Sequence, residues 1–523
     1  MATPSKKLAE SLDVLHRLQD AGGGAAVRAR AVTRTHRERL VTNGFLRKVM
    51  KGWYIPSRPD EPPGESTAWY AAFWDFAAAY LEARFGRNWS LSPEQSLSLH
   101  GGNWAVPRQL VVRAPRARNR VTAFPHETSV LDLRAALPAS SDRQEEEGLR
   151  VFSVDSALIA CSPNYFLRHA TDARAALATV RDPSRVLAGL LEGGHTTIAG
   201  RLAGAFRNIR RDAIADEIVK TMTAAGYSIR ETDPFEDRPA LALPARETSP
   251  SVNRIRLLWQ KMRRPVIERF PNAPGLPEHA HLYMKGVDEA YVTDAYHSLS
   301  IEGYRVSADL IERVRSGAWN PDGNERDLEQ RNAMAARGYF QAFQAVQESI
   351  GKVLKGDNPG EVAREDHRAW YREMFAPSVA AGLLKPADLA GYRNGPVYIR
   401  QSMHVPPNRD AVLDAMPVFF DLLRDEAEPS VRAVLGHFVF VYVHPYMDGN
   451  GRMGRFLMNL MLAEGGYPWT VVPVAERRAY MAALESASVG EDIGPFAALL
   501  ADLVGRRLAG APLPDVPNAS PRV

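Results

Sequence analysis

The sequence has almost no cysteine, because Cys161 is the only one among 523 residues. A single cysteine cannot form a disulfide within the chain, and it cannot supply the ligands of a structural zinc cluster. The sequence also lacks an N-terminal apolar segment of the kind that directs secretion, and it has no apolar run long enough to span a membrane. These absences predict a cytoplasmic protein that has no membrane partner.

An excess of charge of one sign is missing as well, since 65 Lys/Arg nearly balance 61 Asp/Glu and leave a net charge of +4. The composition is that of an ordinary globular protein, with 45% hydrophobic and 24% charged residues. A chain of this length is expected to hold about two or three domains. The local distribution of charge is therefore more informative than the total.

One stretch, 444–455, combines several residue types that suit the transfer of a phosphate-linked group. His444 can take a proton near neutral pH, and Asp448 offers the oxygen ligand that Mg²⁺ prefers. The backbone at Gly449 and Gly451 can approach an anion closely, because glycine has no side chain. The helical pattern that follows has an N-terminus that favours anions and two arginines that can clamp a polyphosphate, Arg452 and Arg455.

These residues read His-Pro-Tyr-Met-Asp-Gly-Asn-Gly-Arg-Met-Gly-Arg, which resembles the signature of the Fic family, His-Pro-Phe-x-Asp/Glu-Gly-Asn-Gly-Arg-x-x-Arg. Tyr446 stands where the family has Phe, and every other specified position matches. We expect Tyr446 to remain an aromatic anchor and its hydroxyl to reach a polar partner. The alternative, a glycine-rich turn between two helices, does not explain the histidine, the aspartate and the two arginines.

The resemblance implies an enzyme that transfers AMP from ATP to a Tyr, Ser or Thr hydroxyl of a target protein, with ATP and Mg²⁺ as cofactors. It makes His444 the base that deprotonates this hydroxyl, and it makes Asp448 the residue that holds Mg²⁺. It assigns the remaining contacts with ATP to the phosphate-binding residues and to an aromatic residue at the adenine ring, which are Gly449, Asn450, Gly451, Arg452, Arg455 and Tyr480.

A second patch precedes the signature and contains an Asn-Gly-Pro turn, 394–396, followed by alternating apolar residues. This pattern predicts a short β-hairpin in an otherwise helical region. It is similar to the flap of Fic proteins, which lies over the active site and holds a target segment by strand addition. The residues that would do so are Val397, Tyr398 and Ile399. The alternative is a surface hairpin without a role.

A third element ends a helical pattern that runs from Val287 to Glu302, and Gly303 is a suitable stop for that helix. Its residues Ser-Leu-Ser-Ile-Glu-Gly match the inhibitory motif of Fic proteins, Ser/Thr-x-x-x-Glu-Gly/Asn. The resemblance implies that Glu302, in a motif that begins at Ser298, pairs with Arg455 and blocks productive seating of the γ-phosphate. The alternative is a glutamate that is merely solvated on a helix face.

Positive charge is concentrated in residues 1–58, which hold twelve Lys/Arg and four Asp/Glu. A helix at 7–19, a Gly22-Gly23-Gly24 break, a basic helix at 32–43 and a basic ribbon at 44–55 give a winged helix-turn-helix layout. It resembles the N-terminal module of AbiEi-type antitoxins and predicts binding to double-stranded DNA. The alternative is a winged helix that contacts protein and has a solvated basic face. The candidate DNA contacts are Arg34, Arg37, Arg39, Arg47, Lys48 and Lys51.

Proline-rich linkers at 57–64 and 233–250 separate three predicted domains. These are a winged helix-turn-helix at 1–58, an antitoxin-like α+β middle domain at 66–232, and an all-helical Fic domain with a short β-hairpin flap at 252–509. The last residues, 510–523, are rich in proline and predict a disordered tail. The predicted fold class is therefore mainly α.

We interpret the chain as an autoinhibited protein adenylyltransferase fused to a DNA-binding module, similar to a bacterial toxin and its antitoxin in one chain. One alternative is a different Fic chemistry, either removal of AMP or transfer of another phosphate-containing group. Another is a transcriptional regulator whose Fic domain senses nucleotide. The intact His444 and Asp448 argue against a pure sensor, since a sensor needs no base. A homodimer is left open.

Overall fold

The structure is a computed structural model, and it describes residues 3–20, 25–59, 61, 62, 64–239, 243, 249–317 and 330–517. Packing divides the chain into two compact units. The first consists of Met1–Arg254 with Tyr398–Pro406, and the second of Ile255–Val397 with Pro407–Val523. The predicted Gly22-Gly23-Gly24 break, part of each linker and residues 518–523 of the predicted tail lie outside the described residues.

The first unit begins with α1 (Pro4–Leu18), β1 (Val27–Arg28), α2 (Arg34–Thr42), β2 (Leu46–Met50) and β3 (Trp53–Pro56). The side-chain oxygens of Thr3 and Thr33 accept an N–H of the first turn of α1 and α2, which explains where these helices begin. Gly44 and Gly52 have positive φ and allow the turns that flank β2. The three strands form an antiparallel sheet of order β1-β3-β2, so the predicted helices and basic ribbon are present.

The rest of the first unit mixes helices and strands. The helix Thr67–Phe85 carries an aromatic stripe that includes Trp69, Phe73 and Phe76. This stripe is buried in one core with strand residues such as Leu110 and Val112. A four-stranded sheet has the order β4-β5-β7-β6, with β5 and β7 parallel, and β8 pairs with β9. The elements are α3 (Thr67–Phe85), β4 (Ser90–Leu91), α4 (Pro93–His100), β5 (Gln109–Ala114), β6 (Arg120–Ala123), β7 (Ser129–Arg134), β8 (Arg143–Glu146), β9 (Leu149–Phe152), α5 (Val154–Ala160), α6 (Pro163–Arg168), α7 (Ala170–Thr179), α8 (Ser184–Glu192), α9 (Thr196–Asn208) and α10 (Asp212–Ala224).

The second unit is helical, and its described residues contain no β-strand. A single large core joins its helices. They are α11 (Pro250–Ile267), within which the unit begins, α12 (Ala280–Ile301), α13 (Ala308–Arg315), α14 (Gln330–Val353), α15 (Pro359–Ala380), α16 (Arg409–Asp425), α17 (Pro429–Val443), α18 (Asn450–Glu464), α19 (Arg477–Gly490) and α20 (Gly494–Leu508). The predicted mainly α fold class is confirmed. No helix in the described part of the chain is long and apolar enough to cross a lipid bilayer.

The predicted β-hairpin of the flap is wrong. Val397, Tyr398 and Ile399 lie in an irregular segment, 390–408, that forms no strand. The segment contains three prolines, which have no N–H to donate to a strand ladder. The alternation that suggested a strand instead reflects the burial of Val397 beside the exposed Tyr398.

Candidate active site

Two helices and the loop between them position the residues of the signature. α17 is buried along nearly all of its length and ends at Val443, and His444, whose φ is 53°, caps it. The next residue is Pro445, which disfavours a helical conformation for the residue before it. α18 begins at Asn450, directly after Gly449, whose φ of 81° lies in the region that favours glycine. A loop of only a few residues therefore joins His444 to the N-terminus of α18.

The side chain of Asn450 closes this loop. Its Oδ1 accepts the N–H of Tyr446 at 2.9 Å, and its Nδ2 donates to the carbonyl oxygen of Tyr446 at 2.8 Å. Asn450 is buried, so water does not compete for these bonds. Asn450 thus shapes the predicted anion cradle through its side chain, and the N–H groups of the first turn of α18 are the ones that can face an anion.

His444 is held as a neutral imidazole. Its Nδ1 lies 3.0 Å from the carbonyl oxygen of Val441. A carbonyl can only accept, so Nδ1 carries the proton and Nε2 keeps its lone pair. Burial lowers the pKa of His444 to about 4. The side chain can therefore accept a proton at Nε2 at neutral pH.

Asp448 presents a carboxylate at the start of α18. Its Oδ1 accepts the N–H of Gly449 at 2.6 Å, and its Oδ2 lies 3.5 Å from Nη2 of Arg452. The side chain is 64% exposed. The described residues contain no group of three His, Cys, Asp or Glu that could hold a metal alone. A single exposed carboxylate instead suits Mg²⁺, which proteins often bind with one or two carboxylates together with substrate phosphates and water.

Arg452 is buried between two aromatic rings. Its guanidinium carbon lies 5.1 Å from the ring centre of Tyr304 and 5.1 Å from that of Phe375. These cation–π contacts orient the guanidinium group. Its Nε is buried and has no hydrogen-bond acceptor among the described residues. Sequence reasoning missed both rings, although Tyr304 directly follows the inhibitory motif.

Arg455 is held by the inhibitory motif. Its Nε donates to the hydroxyl of Ser298 at 2.9 Å, and its Nη2 donates to the carbonyl oxygen of Ser298 at 3.0 Å and to Oε1 of Glu302 at 2.8 Å. Burial opposes the charged form of Arg455, but the neighbouring Glu302 carboxylate outweighs it and raises the pKa of the guanidinium. α12 ends just before Glu302, and Gly303 follows with φ 88°, which confirms the predicted helix stop.

The donors and the space at this site fit a polyphosphate. Nη1 of Arg455 is buried and has no acceptor in the described part of the chain, as is true of Nε of Arg452. A Cβ added to Gly451 would collide with Oε1 of Glu302 and would lie 3.3 Å from Nη1 of Arg455. Once Glu302 is displaced, the missing side chain of Gly451 leaves room beside an unused donor, which is what a phosphate oxygen requires.

Tyr446 is an aromatic anchor, but no described residue is the expected polar partner of its hydroxyl. The ring is 1% exposed and stacks on Tyr371 with centroids 3.8 Å apart. Its hydroxyl is buried and has no hydrogen-bond partner among the described residues. The expectation was wrong because aromatic rings, including Tyr371, surround this position more closely than polar groups do.

Tyr480, the predicted contact of the adenine ring, lies in the core. It is 1% exposed, and its hydroxyl lies 2.7 Å from Nε2 of His437. Its ring also packs near Phe496. This packing commits the hydroxyl of Tyr480 to His437, and the contact with adenine stays a prediction.

Arg393 holds the irregular segment 390–408, which we call the flap segment, to the loop that follows His444. Its Nε donates to the carbonyl oxygen of His444 at 2.7 Å, and its backbone N–H donates to that of Pro445 at 2.9 Å. Its guanidinium also donates to the carbonyls of Gly395 and Pro407. Arg393 is buried, so these bonds tie the start of the flap segment to the backbone of His444.

The structure separates the candidate DNA contacts into two groups. The four arginines have partners within the first unit: Arg34 pairs with Glu38, Arg37 donates to the carbonyl of Ala29, Arg39 to that of Lys7, and Arg47 to that of Glu65. The two lysines of the basic hairpin, Lys48 and Lys51, are exposed. The lysines are therefore better placed to meet a phosphate backbone than the arginines.

The site lies in the part of the chain that is similar to known proteins. Residues 361–462 match the Fic/DOC family, and this range includes His444, Asp448 and both arginines of the signature. The chain is 30% identical over 224 residues to "Protein adenylyltransferase Fic" of Drosophila willistoni, which covers 42% of this chain and 41% of that protein. It is 29% identical over 262 residues to "Protein adenylyltransferase fic-1" of Caenorhabditis elegans, which covers 49% of this chain and 47% of that protein. The chain spans less than half of the length of these relatives.

Two solved structures also align with parts of the chain. Fic-1 from C. elegans is 22% identical, covers 65% of this chain and 97% of the solved chain, and superposes with a TM-score of 0.37. A Fic domain containing signaling protein from Bacteroides thetaiotaomicron is 16% identical, covers 49% of this chain and 99% of the solved chain, and superposes with a TM-score of 0.35.

Proposed function

We propose that the chain is a protein adenylyltransferase, which transfers AMP from ATP to a Tyr, Ser or Thr hydroxyl of a target protein. The observation that carries this proposal is the neutral His444, with Nε2 free to accept a proton, joined by a short loop to a helix N-terminus that bears two buried arginines. A base next to an anion site is what attack of a hydroxyl on a phosphate requires. Relatives that bear the name protein adenylyltransferase support the same reaction.

In the proposed reaction, Nε2 of His444 takes the proton of the target hydroxyl as its oxygen attacks the α-phosphorus of ATP. A new bond forms between this oxygen and the α-phosphorus, the bond from the α-phosphorus to the β-phosphate oxygen breaks, and pyrophosphate leaves. Arg452 and Arg455, with the N-terminus of α18, would stabilise the phosphate charge. Asp448 would hold a Mg²⁺ ion, which when bound neutralises part of the phosphate charge.

We propose that the structure is the autoinhibited form of this enzyme. Glu302 occupies Nη2 of Arg455, and its Oε1 lies where a side chain on Gly451 would lie. A carboxylate at this place both uses a donor and puts a negative charge beside a triphosphate. ATP would then bind with its α-phosphate out of line with His444, and misorientation alone can cost orders of magnitude in rate. The same carboxylate could instead align a water molecule for hydrolytic removal of AMP, which is the alternative reaction.

We also propose that residues 1–58 bind double-stranded DNA, and that this module regulates expression in the manner of an antitoxin. The support is the local excess of positive charge and the exposed lysines of the β2–β3 hairpin. The phosphate backbone attracts such a surface without regard to sequence, and the binding weakens with salt.

The test of the proposed enzyme uses the full chain, ATP labelled at the α-phosphate and a cell lysate. The Glu302→Gly variant should label protein, and a mass shift of one AMP should appear on the acceptor. His444→Ala in the Glu302→Gly background should lose about 10²–10⁴-fold in rate with little change in ATP affinity, because a general base contributes that much. Loss of label from a modified protein incubated with the wild type, which keeps Glu302, would establish hydrolytic removal of AMP instead.

A further inference from the structure

The segment Tyr398–Pro406 follows the flap residue Val397 in the chain, yet it packs within the first unit. The backbone N–H of Val106 donates to the carbonyl of Met403 at 2.8 Å. The side chains of Met403 and Val405 pack against the aromatic core that contains Trp69. The first unit therefore holds the residues that directly follow the predicted target-binding positions.

Glu65 is the polar centre of this contact. Its side chain is only 3% exposed, and its Oε2 lies 3.2 Å from Nε of Arg400 and 3.2 Å from Nε2 of Gln401. Its Oε1 accepts the N–H of Ser66, and it accepts the hydroxyl of Thr67 at 2.7 Å. Both carboxylate oxygens are thus occupied, and a buried carboxylate with this many donors is held in one geometry.

The backbone conformation of Gln401 indicates that the surrounding hydrogen bonds hold the contact with Glu65 in place. Gln401 has a φ of 60°, a backbone conformation that residues other than glycine rarely adopt. Its N–H donates to the hydroxyl of Thr67 at 2.9 Å, and its side chain donates to Glu65. An unfavourable conformation persists only where the surrounding bonds over-determine it.

The flap residues Tyr398 and Ile399 directly precede this contact and lie in the first unit with it. Arg400 and Gln401, which follow them in the chain, are bound to Glu65. Tyr398 is 43% exposed and so available to a partner.

We propose that Glu65, acting through Arg400 and Gln401, is a positioning residue that sets the flap for binding of the target protein. This inference rests on the proposed function. It makes the first unit part of target recognition, in addition to its proposed role with DNA. A segment that is fixed next to its binding positions offers its backbone groups to an incoming strand at a lower entropic cost than a loose one.

The first experiment measures hydrogen exchange of the peptide 398–406 in the full-length protein. Arg400→Ala should raise the exchange rate of the Gln401 amide about tenfold, since exchange reports local opening. The matched control is Arg409→Ala, which removes an arginine of equal exposure, 58% against 59%, that pairs with Asp410 instead. Arg400→Lys should restore part of the protection, because an ammonium group can also pair with Glu65. Equal exchange in the wild type and in Arg400→Ala would overturn the proposed tether.

The second experiment measures AMP transfer to lysate proteins at increasing lysate concentration, in the Glu302→Gly background. Arg400→Ala should raise the apparent KM for protein acceptors about tenfold and leave the rate at saturation and the ATP affinity unchanged, because it removes only acceptor positioning. If the Glu302→Gly parent labels nothing, the proposed function fails while hydrogen exchange still tests the tether. If the parent labels protein and Arg400→Ala behaves like Arg409→Ala, the role in target recognition is wrong.

Discussion

Nη2 of Arg455 donates to Oε1 of Glu302 at 2.8 Å, and this contact joins the second arginine of the signature to a motif that lies far upstream in the chain. Arg455 is 3% exposed, whereas the side chain of Glu302 is 31% exposed. The arginine is therefore fixed by its surroundings, and the glutamate is the partner that can be removed with little effect on the core.

Replacing Glu302 should activate the enzyme. Glu302→Gly frees Nη2 of Arg455 and removes a carboxylate beside Gly451, so we expect AMP transfer to rise at least about tenfold, which corresponds to about 1.4 kcal/mol in the barrier. The measurement is self-labelling of purified protein with α-labelled ATP. Adding Arg455→Ala to this variant should abolish the gain. Equal activity of the wild type and Glu302→Gly would show that 298–303 is an ordinary helix end.

The pH dependence should reflect the neutral state of His444. Its pKa is lowered to about 4, so the side chain is unprotonated, and active as a base, at any pH above that value. As the pH falls through about 4, protonation removes the lone pair and the rate should fall, whereas an ordinary histidine would lose activity near pH 6.5. The rate of Glu302→Gly should be measured from below pH 4 up to pH 8, with circular dichroism at each pH to exclude unfolding. A midpoint near 6.5 would contradict the lowered pKa of His444.

Filling the cradle at Gly451 should weaken binding of ATP. In the Glu302→Gly background, a Cβ at this position would still lie 3.3 Å from Nη1 of Arg455, in the space assigned to phosphate. We expect Gly451→Ala to lower ATP affinity about tenfold, through loss of close backbone approach. Gly505→Ala is the matched control, since Gly505 is also helical and a Cβ there meets nothing within 4 Å. Calorimetric titration with ATP measures both variants, and equal affinities would remove the phosphate site from Gly451.

Binding to DNA should depend on the lysines of the hairpin more than on the arginines of α2. Each lost phosphate contact makes the negative slope of log K against log salt less steep by about 0.9, so Lys48→Ala with Lys51→Ala should make it less steep by about 2. Fluorescence anisotropy on a labelled duplex at several salt concentrations gives the slope. Lys285→Ala is the control, because Lys285 is an exposed lysine of α12, 72% exposed. An unchanged slope would place the DNA contacts elsewhere, and no binding at low salt would end the proposal.

Arg37 and Arg39 are expected to act on stability instead. Arg39 donates to the carbonyl of Lys7 and to the hydroxyl of Ser11, which joins α2 to α1. Arg39→Ala removes both of these hydrogen bonds and should destabilise the module by about 1 kcal/mol, a typical net value for such bonds. Thermal unfolding measures this, with Arg34→Ala as control because the exposed Arg34–Glu38 pair contributes little.

Sequence alone was enough to propose the chemistry of this protein and to predict the elements that depend on near neighbours. The spacing of His444, Asp448 and the two arginines is local, and the helix stop at Gly303 follows from its freedom to adopt positive φ. The basic helix and ribbon of the first unit were predictable for the same reason, since threonine caps, glycine turns and alternation all act within a few residues.

Tertiary structure decided which of these groups remain available. Tyr304 and Phe375, which are far from Arg452 in sequence, enclose its guanidinium group. Glu65 pairs with Arg400, from which most of the chain separates it. The flap appeared to be a hairpin because alternation does not reveal whether a partner strand exists, and here none does among the described residues. Long-range packing decides which acceptor each donor meets, and no pattern of neighbouring residues contains that competition.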